Sequence, residues 1–397
     1  MQLAEGILDI QAEIQAIRRD LHAHPELRYE EHRTARIVAD CLERWGYAVT
    51  QGIGGTGLVG TLKRGRSTRS LGLRADMDAL PVQESNRFEH ASRHPGKMHA
   101  CGHDGHTAML LAAARHIAAH TAFDGTLHLI FQPAEEGGAG AKRMIAEGLF
   151  ERFPCDEVYG MHNWPGMAVG QFGLTAGPMM ASSNEFHVTI EGRSAHAALP
   201  HNGVDPVLVA THLVQALQSI LTRNKKPIDA AVLSVTQISA GEAINVIPDR
   251  ATIHGTVRTF SIEVLDLIET RMRALVEQLP PAFGATGSLE FVRNYPPTIN
   301  HPAQTAYALA IAQDIVGEAN VVHPIEPTMG AEDFSFMLLE RPGCYLFVGN
   351  GTGGHRAEGH GLGPCMLHNS SYDFNDELIP IGATFWTRLV ERFLAPA

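Results

Sequence analysis

The segment Lys97–Leu111, "KMHACGHDGHTAMLL", places three histidines, one cysteine and one aspartate within eight residues, His99 to His106, before the pattern turns apolar. Smaller polar clusters recur along the chain at Asp76-Met77-Asp78, Glu135-Glu136, His162-Asn163 and His368-Asn369. Cys101, His103, Glu136, His162 and His368 offer thiolate, imidazole and carboxylate. Those donors suit zinc, manganese, cobalt or nickel rather than calcium or magnesium. Five protein ligands exceed the needs of one tetrahedral ion, so two divalent ions are expected, ~3.5–4 Å apart with an attacking water clamped between them. Adjacent carboxylates leaving a strand point opposite ways. Glu136 is therefore assigned as a ligand and Glu135 as the general base that activates the water and later protonates the leaving amine. Asp78 is expected to orient a ligand from behind. His106 is expected to support the start of the following helix, and His22 and His24 to be local or supporting positions. His99 is left without a role. Glu332 either lines the pocket or sits beside a helix starting near Asp333.

Two other chemistries compete. Cys101 paired with a histidine could serve as an acyl-transfer nucleophile, although that leaves the two glutamates and His162 idle. A catalytically silent metal-storage or scaffold protein would be indifferent to Glu135→Gln.

The elements that must position these residues are legible in outline. Short apolar runs at 58–62, 71–73, 127–131, 158–161 and 344–348 are bounded by turn residues and read as buried strands. Helical periodicity covers Arg33 to Trp45 and Thr107 to His120. Strands alternating with helices predict an α/β layer with a largely parallel sheet. In such sheets ligands bind beyond the carboxyl ends of the strands, and three of the clusters follow predicted strands. Near Asn184 the pattern changes to strand (Glu185–Glu191), helix (Asp205–Leu221), strand (Ala230–Ile238), strand (Ala251–Phe260), helix (Ser261–Leu279) and strand (Ser288–Arg293). Asp205-Pro206 and Ser261 with Glu263 mark the two helix starts. This β-α-β-β-α-β order is a ferredoxin-like split unit. It predicts a catalytic domain from 1–183 and 300–397, interrupted by an inserted lid and dimerisation domain at 184–299.

At 397 residues, two domains are expected. A hydrophobic share of 44% and a charged share of 19% are those of a globular chain. A net charge of -12 argues against a nucleic-acid partner and against anionic membranes. The 5 cysteines form no C-x-x-C pair, so neither a disulfide framework nor a zinc ribbon is expected. The amphipathic, charged amino terminus lacks the apolar run of a signal peptide, and no later stretch reads as a membrane span. A soluble, cytoplasmic protein is expected.

The motifs "RRDLHAHPEL", "RADMDALPVQE", "HACGHDGHTAMLL", "FQPAEEGGAGA", "GMHN", "GRSAHAALPH", "AINVIPD", "GTVRTF", "GAEDFS" and "HNSSYDFND" together resemble the M20 metallopeptidase family. The subgroup they resemble comprises hippurate hydrolases, N-acyl-amino-acid amidohydrolases and auxin–amino-acid conjugate hydrolases. The resemblance runs from about Ile17 to Asn375. It implies a dimetal-aminopeptidase-like catalytic domain with ligands Cys101, His103, Glu136, His162 and His368, base Glu135 and supporting carboxylate Asp78. It also implies a lid whose His196, Asn245 and Arg258 contact substrate, the arginine meeting a carboxylate. The implied reaction is hydrolysis of an N-acyl amino acid by metal-bound water. The implied assembly is a homodimer through the lid. Dipeptide or carbamoyl-amino-acid hydrolysis is the neighbouring activity. Two local departures are "HNSSYDF", where relatives often carry proline and glycine, and Asn184, where an acid is common.

Overall fold

The computed structural model describes residues 1–396. The chain forms two compact units, one of Met1–Gly177, Ile299–Glu326 and the segment from Asp333 onward, the other of Pro178–Thr298 with Pro327–Glu332.

The first unit is built on a mixed sheet with helices. Its first five strands are β1 (Ala48–Ile53), β2 (Gly57–Arg64), β3 (Ser70–Asp76), β4 (Gly125–Gln132) and β5 (Glu157–Pro165). They lie in the order β1-β2-β4-β3-β5, followed by Gly343–Gly351 and the two-residue strands Phe172–Gly173 and Val321–Val322. β4, β3, β5 and Gly343–Gly351 run parallel, while β1 and β2 form an antiparallel hairpin at one edge. Every residue of β3 and of Gly343–Gly351 is buried, as expected for central strands covered on both faces. Because the central strands are parallel, their carboxyl ends share one edge.

Helices α1 (Gln11–Ala23), α2 (His32–Arg44) and α3 (His103–His120) belong to this unit, with Leu378–Phe393 packed on α3. α3 is buried on nearly all sides, so its apolar content shows little facing preference. It begins at His103, earlier than the apolar periodicity from Thr107 suggests. Its first turn carries His103, Asp104 and His106, and Gly102 enters it with a left-handed φ of 89°. β5 likewise continues to Pro165, so His162 and Asn163 lie within the strand rather than beyond it.

The second unit has the order strand Ser183–Glu191, helix Pro206–Ser219, strands Ala231–Ala240 and Arg250–Thr259, helix Ile262–Gln278 and strand Thr286–Tyr295. These four strands form one antiparallel sheet, with Ala231–Ala240 at one edge and Thr286–Tyr295 at the other. The Asp205 side chain caps the backbone N–H groups of Val207 and Leu208, and Ser261 caps that of Val264. Each such cap is worth about 1 kcal/mol of helix stability. The core is aliphatic and aromatic: Phe186, Val188, Ile190, Leu213, Ile253, Val257, Ile268 and Met272 are buried together. Asn184 is buried near the start of strand Ser183–Glu191, where its Nδ2 donates to Ser182 Oγ at 2.9 Å and to the Val257 carbonyl at 3.0 Å. A carboxylate could make neither donation, which accounts for an amide at this position.

Candidate metal centre

The common strand edge gathers the polar clusters. Asp76 ends β3 and Asp78 follows it. β4 leads through Pro133 and Ala134 into the Glu135-Glu136 turn, and His162 projects from β5. The Cys101–His103 segment enters α3 alongside them. His368 arrives from the chain's last loop with a left-handed φ of 61°, and its backbone N–H donates to the Ala100 carbonyl at 2.8 Å.

The side chains converge. Cys101 Sγ lies 3.3 Å from His162 Nε2, and His368 Nε2 lies 3.1 Å from Glu136 Oε1. Donor atoms of Cys101, His103 and His162 lie within 4.8 Å of one another, and the same holds for Cys101, Glu136 and His368 and for His103, Glu135 and Glu136. All five residues read as ligands, together with Glu135, thus occupy one cluster, and Cys101 belongs to two of the three groups. One expectation is corrected. The carboxylates of Glu135 and Glu136 do not diverge; both approach His103. The strand-alternation argument fails because the pair sits in a kinked helical turn, with Ala134 at φ 53° and Gly137 at φ 73°.

Asp78 fixes this turn. Its Oδ1 accepts the Glu135 backbone N–H at 3.0 Å and faces His103 Nδ1 at 3.2 Å, while its Oδ2 accepts the Glu136 backbone N–H at 2.9 Å. One carboxylate therefore orients a ligand histidine and both members of the glutamate pair. With Nδ1–H directed at Asp78, His103 presents Nε2 to the cluster, and that buried nitrogen has no hydrogen-bond partner. His162 is arranged in the same way: Nδ1–H donates to the Asn163 carbonyl at 2.6 Å, leaving Nε2 toward Cys101. Two buried imidazoles with Nε2 turned toward one thiol and several carboxylates fit a borderline divalent cation, which would take the place of the proton on His103.

Asp76, His103 and His106 form a further close group, but both nitrogens of His106 are engaged. Its Nδ1 donates to Asp76 Oδ1 at 2.6 Å, and its Nε2 accepts the Asn163 backbone N–H at 2.9 Å. His106 therefore supports the helix start rather than the cluster interior.

The electrostatics agree. Burial resists charge on His103, yet Asp76, Asp78 and Glu136 outweigh it and carry the ring up to about 10. Burial, then Glu136, Glu135 and Asp76, push the Cys101 thiol well above its ordinary value. Burial, reinforced by His106, keeps His162 well below its ordinary value. Such a pocket favours added positive charge and disfavours a free thiolate.

Two supports had no role assigned from the sequence. Buried Glu31 accepts the Ala134 backbone N–H at 2.9 Å and a hydrogen bond from Thr56, holding the left-handed residue before the glutamate pair. Buried Asp76 binds Arg74 Nη1 at 2.7 Å as well as His106. Glu31 stands in a charged stretch, "RYEEHRT", that carries no local signal; Asp76 had one, its place in "RADMD".

The residues assigned to substrate lie in the second unit. His196 and Asn245 are exposed on neighbouring short segments, where His196 pairs with Val246 and the Ala197 N–H donates to the Asn245 carbonyl at 3.0 Å. The Ala198 N–H donates to His196 Nδ1 at 3.1 Å, so a neutral His196 carries its proton on Nε2. Arg258 is half-buried on strand Arg250–Thr259; burial lowers its pKa, and Glu185 acts in the opposite direction.

Residues 72–392 match the model of peptidase family M20/M25/M40. The chain belongs to this family. It is an amidohydrolase of the metal-dependent M20 kind, as the motifs imply, and the matched residues include every proposed ligand. The chain is 41% identical over 394 residues to the hippurate hydrolase of Campylobacter jejuni, covering 99% of this chain and 100% of that one. It is 41% identical over 341 residues to the N-acetyl-L-cysteine deacetylase of Bacillus subtilis, covering 86% of this chain and 81% of that one. Among solved structures it resembles the Bacillus subtilis YXEP protein, described as a dinuclear metal binding peptidase from the M20 family. That similarity has a TM-score of 0.84 and 30% identity over 99% and 100% of the two chains. No helix among the described residues of this M20 chain is long and apolar enough to cross a membrane.

Proposed function

We propose that this chain hydrolyses the amide bond of N-acyl amino acids of the hippurate kind. In this reading two divalent ions, drawn from manganese, zinc, cobalt or nickel, are held by Cys101, His103, Glu136, His162 and His368. When bound, such ions supply Lewis acidity and lower the pKa of water toward neutrality. Glu135 takes the proton of the attacking water on its carboxylate and returns it to the departing amine. Asp78 keeps both glutamates and His103 in register. The second unit acts as a lid. There, His196 Nε2–H and the Asn245 amide are available to a developing oxyanion, and the Arg258 guanidinium fork matches the carboxylate of the amino-acid half. Its edge strand Ala231–Ala240, with Ile238 55% exposed, is the element through which two subunits would pair.

The observation that carries the reading is the convergence of six donor side chains from distant parts of the sequence. The Cys101 nucleophile finds less support: its neighbours are carboxylates that disfavour thiolate, and His162 is kept neutral. The test is amine release from benzoyl, acetyl and other N-acyl amino acids, with dipeptides and carbamoyl amino acids in parallel, on protein reconstituted with each metal. Hippurate-type turnover abolished by chelation and restored by metal is expected. Activity that survives complete metal removal, or that is confined to dipeptides, would overturn the proposal.

A further inference from the structure

The "GMHN" and "SSYDF" motifs supply two buried residues that the proposed chemistry does not use, Asn163 and Tyr372, both with no solvent exposure. Every polar group of Asn163 is committed. Its backbone carbonyl accepts from His162 Nδ1 at 2.6 Å, and its backbone N–H donates to His106 Nε2 at 2.9 Å. Its Nδ2 donates to the Cys101 carbonyl at 2.7 Å and lies 3.0 Å from His106 Nε2, while its Oδ1 accepts the Tyr372 hydroxyl at 2.8 Å. The two side chains also press on the Cys101–Gly102 turn. A Cβ on Gly102 would fall 2.4 Å from both Asn163 Nδ2 and the Tyr372 hydroxyl oxygen, and Gly102 holds a left-handed φ of 89°. Tyr372 reaches the other side of the cluster through its backbone N–H, which donates to the Asn369 carbonyl at 3.0 Å in the loop carrying His368.

We propose that Asn163 and Tyr372 form a clamp of positioning residues that fixes the Cys101 turn, the His162 tautomer and the His368 loop in the arrangement needed to hold the ions. This deepens the metal reading and rests on it. The reasoning is geometric. Cys101 belongs to two donor groups, yet it sits in a loop just before a helix whose backbone could otherwise turn. The hydrogen bond from Asn163 to its carbonyl sets the direction in which Sγ points. The hydroxyl of Tyr372 in turn sets the Asn163 amide, presenting Nδ2 rather than Oδ1 to that carbonyl.

The test uses full-length protein loaded with cobalt(II). A cysteine thiolate bound to cobalt(II) gives a near-ultraviolet charge-transfer band that reports the Cys101–ion bond independently of turnover. Tyr372→Phe removes one hydroxyl. Asn163→Asp keeps an acceptor for Tyr372 but loses the donor to Cys101. Tyr47→Phe is the control for loss of a buried hydroxyl, because the Tyr47 hydroxyl donates to the Ala114 carbonyl at 2.9 Å on the flank of α3. Both clamp variants are expected to weaken cobalt binding about 10- to 100-fold and to shift or dim the band. Tyr47→Phe should keep wild-type affinity and band even where its Tm falls as far. Wild-type affinity and band in Tyr372→Phe or Asn163→Asp would overturn the clamp, as would equal metal loss in Tyr47→Phe at equal loss of Tm. Wild-type protein that binds cobalt with no thiolate band would overturn Cys101 ligation, and the clamp with it, a result distinguishable from failure of the clamp alone.

Discussion

The two units treat polar side chains in opposite ways. The first buries charge: Arg18, His22, Asp76, His103 and Asp104 are almost fully enclosed. The core of the second unit is apolar, and its proposed substrate contacts are exposed or half-buried. A buried polar group must find partners within its own fold or in a bound group; the first unit supplies most of them itself but leaves the buried His103 Nε2 without a hydrogen-bond partner. Arg18 illustrates this by joining Asp104 of α3 at 3.1 Å to Asp373 in the loop that follows His368. The exposed lid residues are under no such demand. On the proposed function, preorganisation would reside in the first unit and substrate-dependent binding in the second.

The sharpest way to break this comparison is Glu135→Gln. It removes only the proton acceptor, and turnover should fall about 10²- to 10⁴-fold with metal content unchanged by elemental analysis. A fall in metal content matching the loss of activity would make Glu135 a ligand instead. Asp78→Asn comes next. It degrades the acceptor shared by His103 and the two glutamate N–H groups, and metal affinity by competition with a chelating dye should drop about 10- to 100-fold. Arg258→Ala tests the lid and should raise KM about tenfold with a smaller change in kcat. Arg258→Lys should rescue only partly, because an ammonium cannot make the paired contact to a carboxylate. A pure kcat effect would remove the arginine from substrate binding.

The buried network also predicts a pH signature. Burial opposes charge on His22, but Asp104 and Glu84 raise it to about 10. A group raised in the folded state contributes fully below its unfolded value, about 6.5, and loses that contribution as pH climbs toward 10. Asp373 behaves oppositely: burial resists its charge, yet Arg18 and His90 hold it well below the carboxylate range. Its contribution is present above about 4 and is lost as pH falls further. Tm should therefore decline between about pH 6.5 and 10 in the wild type, and that slope should flatten in His22→Gln. An unchanged slope would show that His22 does not carry it. The smallest effect belongs to the surface of the second unit. Arg293→Ala breaks the exposed contacts with Asp266 and Glu269 at 2.7 Å and should cost no more than about 1 kcal/mol in urea unfolding.

Much of this was legible in the sequence, for reasons that differ by region. The second unit's elements could be read nearly one by one, because Asp205, Pro206 and Ser261 are local signals and its strands alternate. The side chains of the converging cluster were legible because thiol, imidazole and carboxylate stand in short motifs. The start of α3 was hidden because its first turn carries His103, Asp104 and His106 rather than apolar residues. The approach of Glu135 and Glu136 to one another was hidden because it depends on left-handed Ala134, itself held by Glu31 from a segment about a hundred residues away. No local pattern in the sequence encodes that tertiary contact.

The central claim is that Cys101, His103, Glu136, His162 and His368 together hold two ions. Elemental analysis after equilibrium dialysis tests it most directly, on wild type, Cys101→Ser and His368→Ala. The account predicts two divalent ions per wild-type subunit, with occupancy lost in Cys101→Ser and at most one ion kept in His368→Ala. Two ions retained in both variants, or no transition ion in catalytically active wild type, would contradict it.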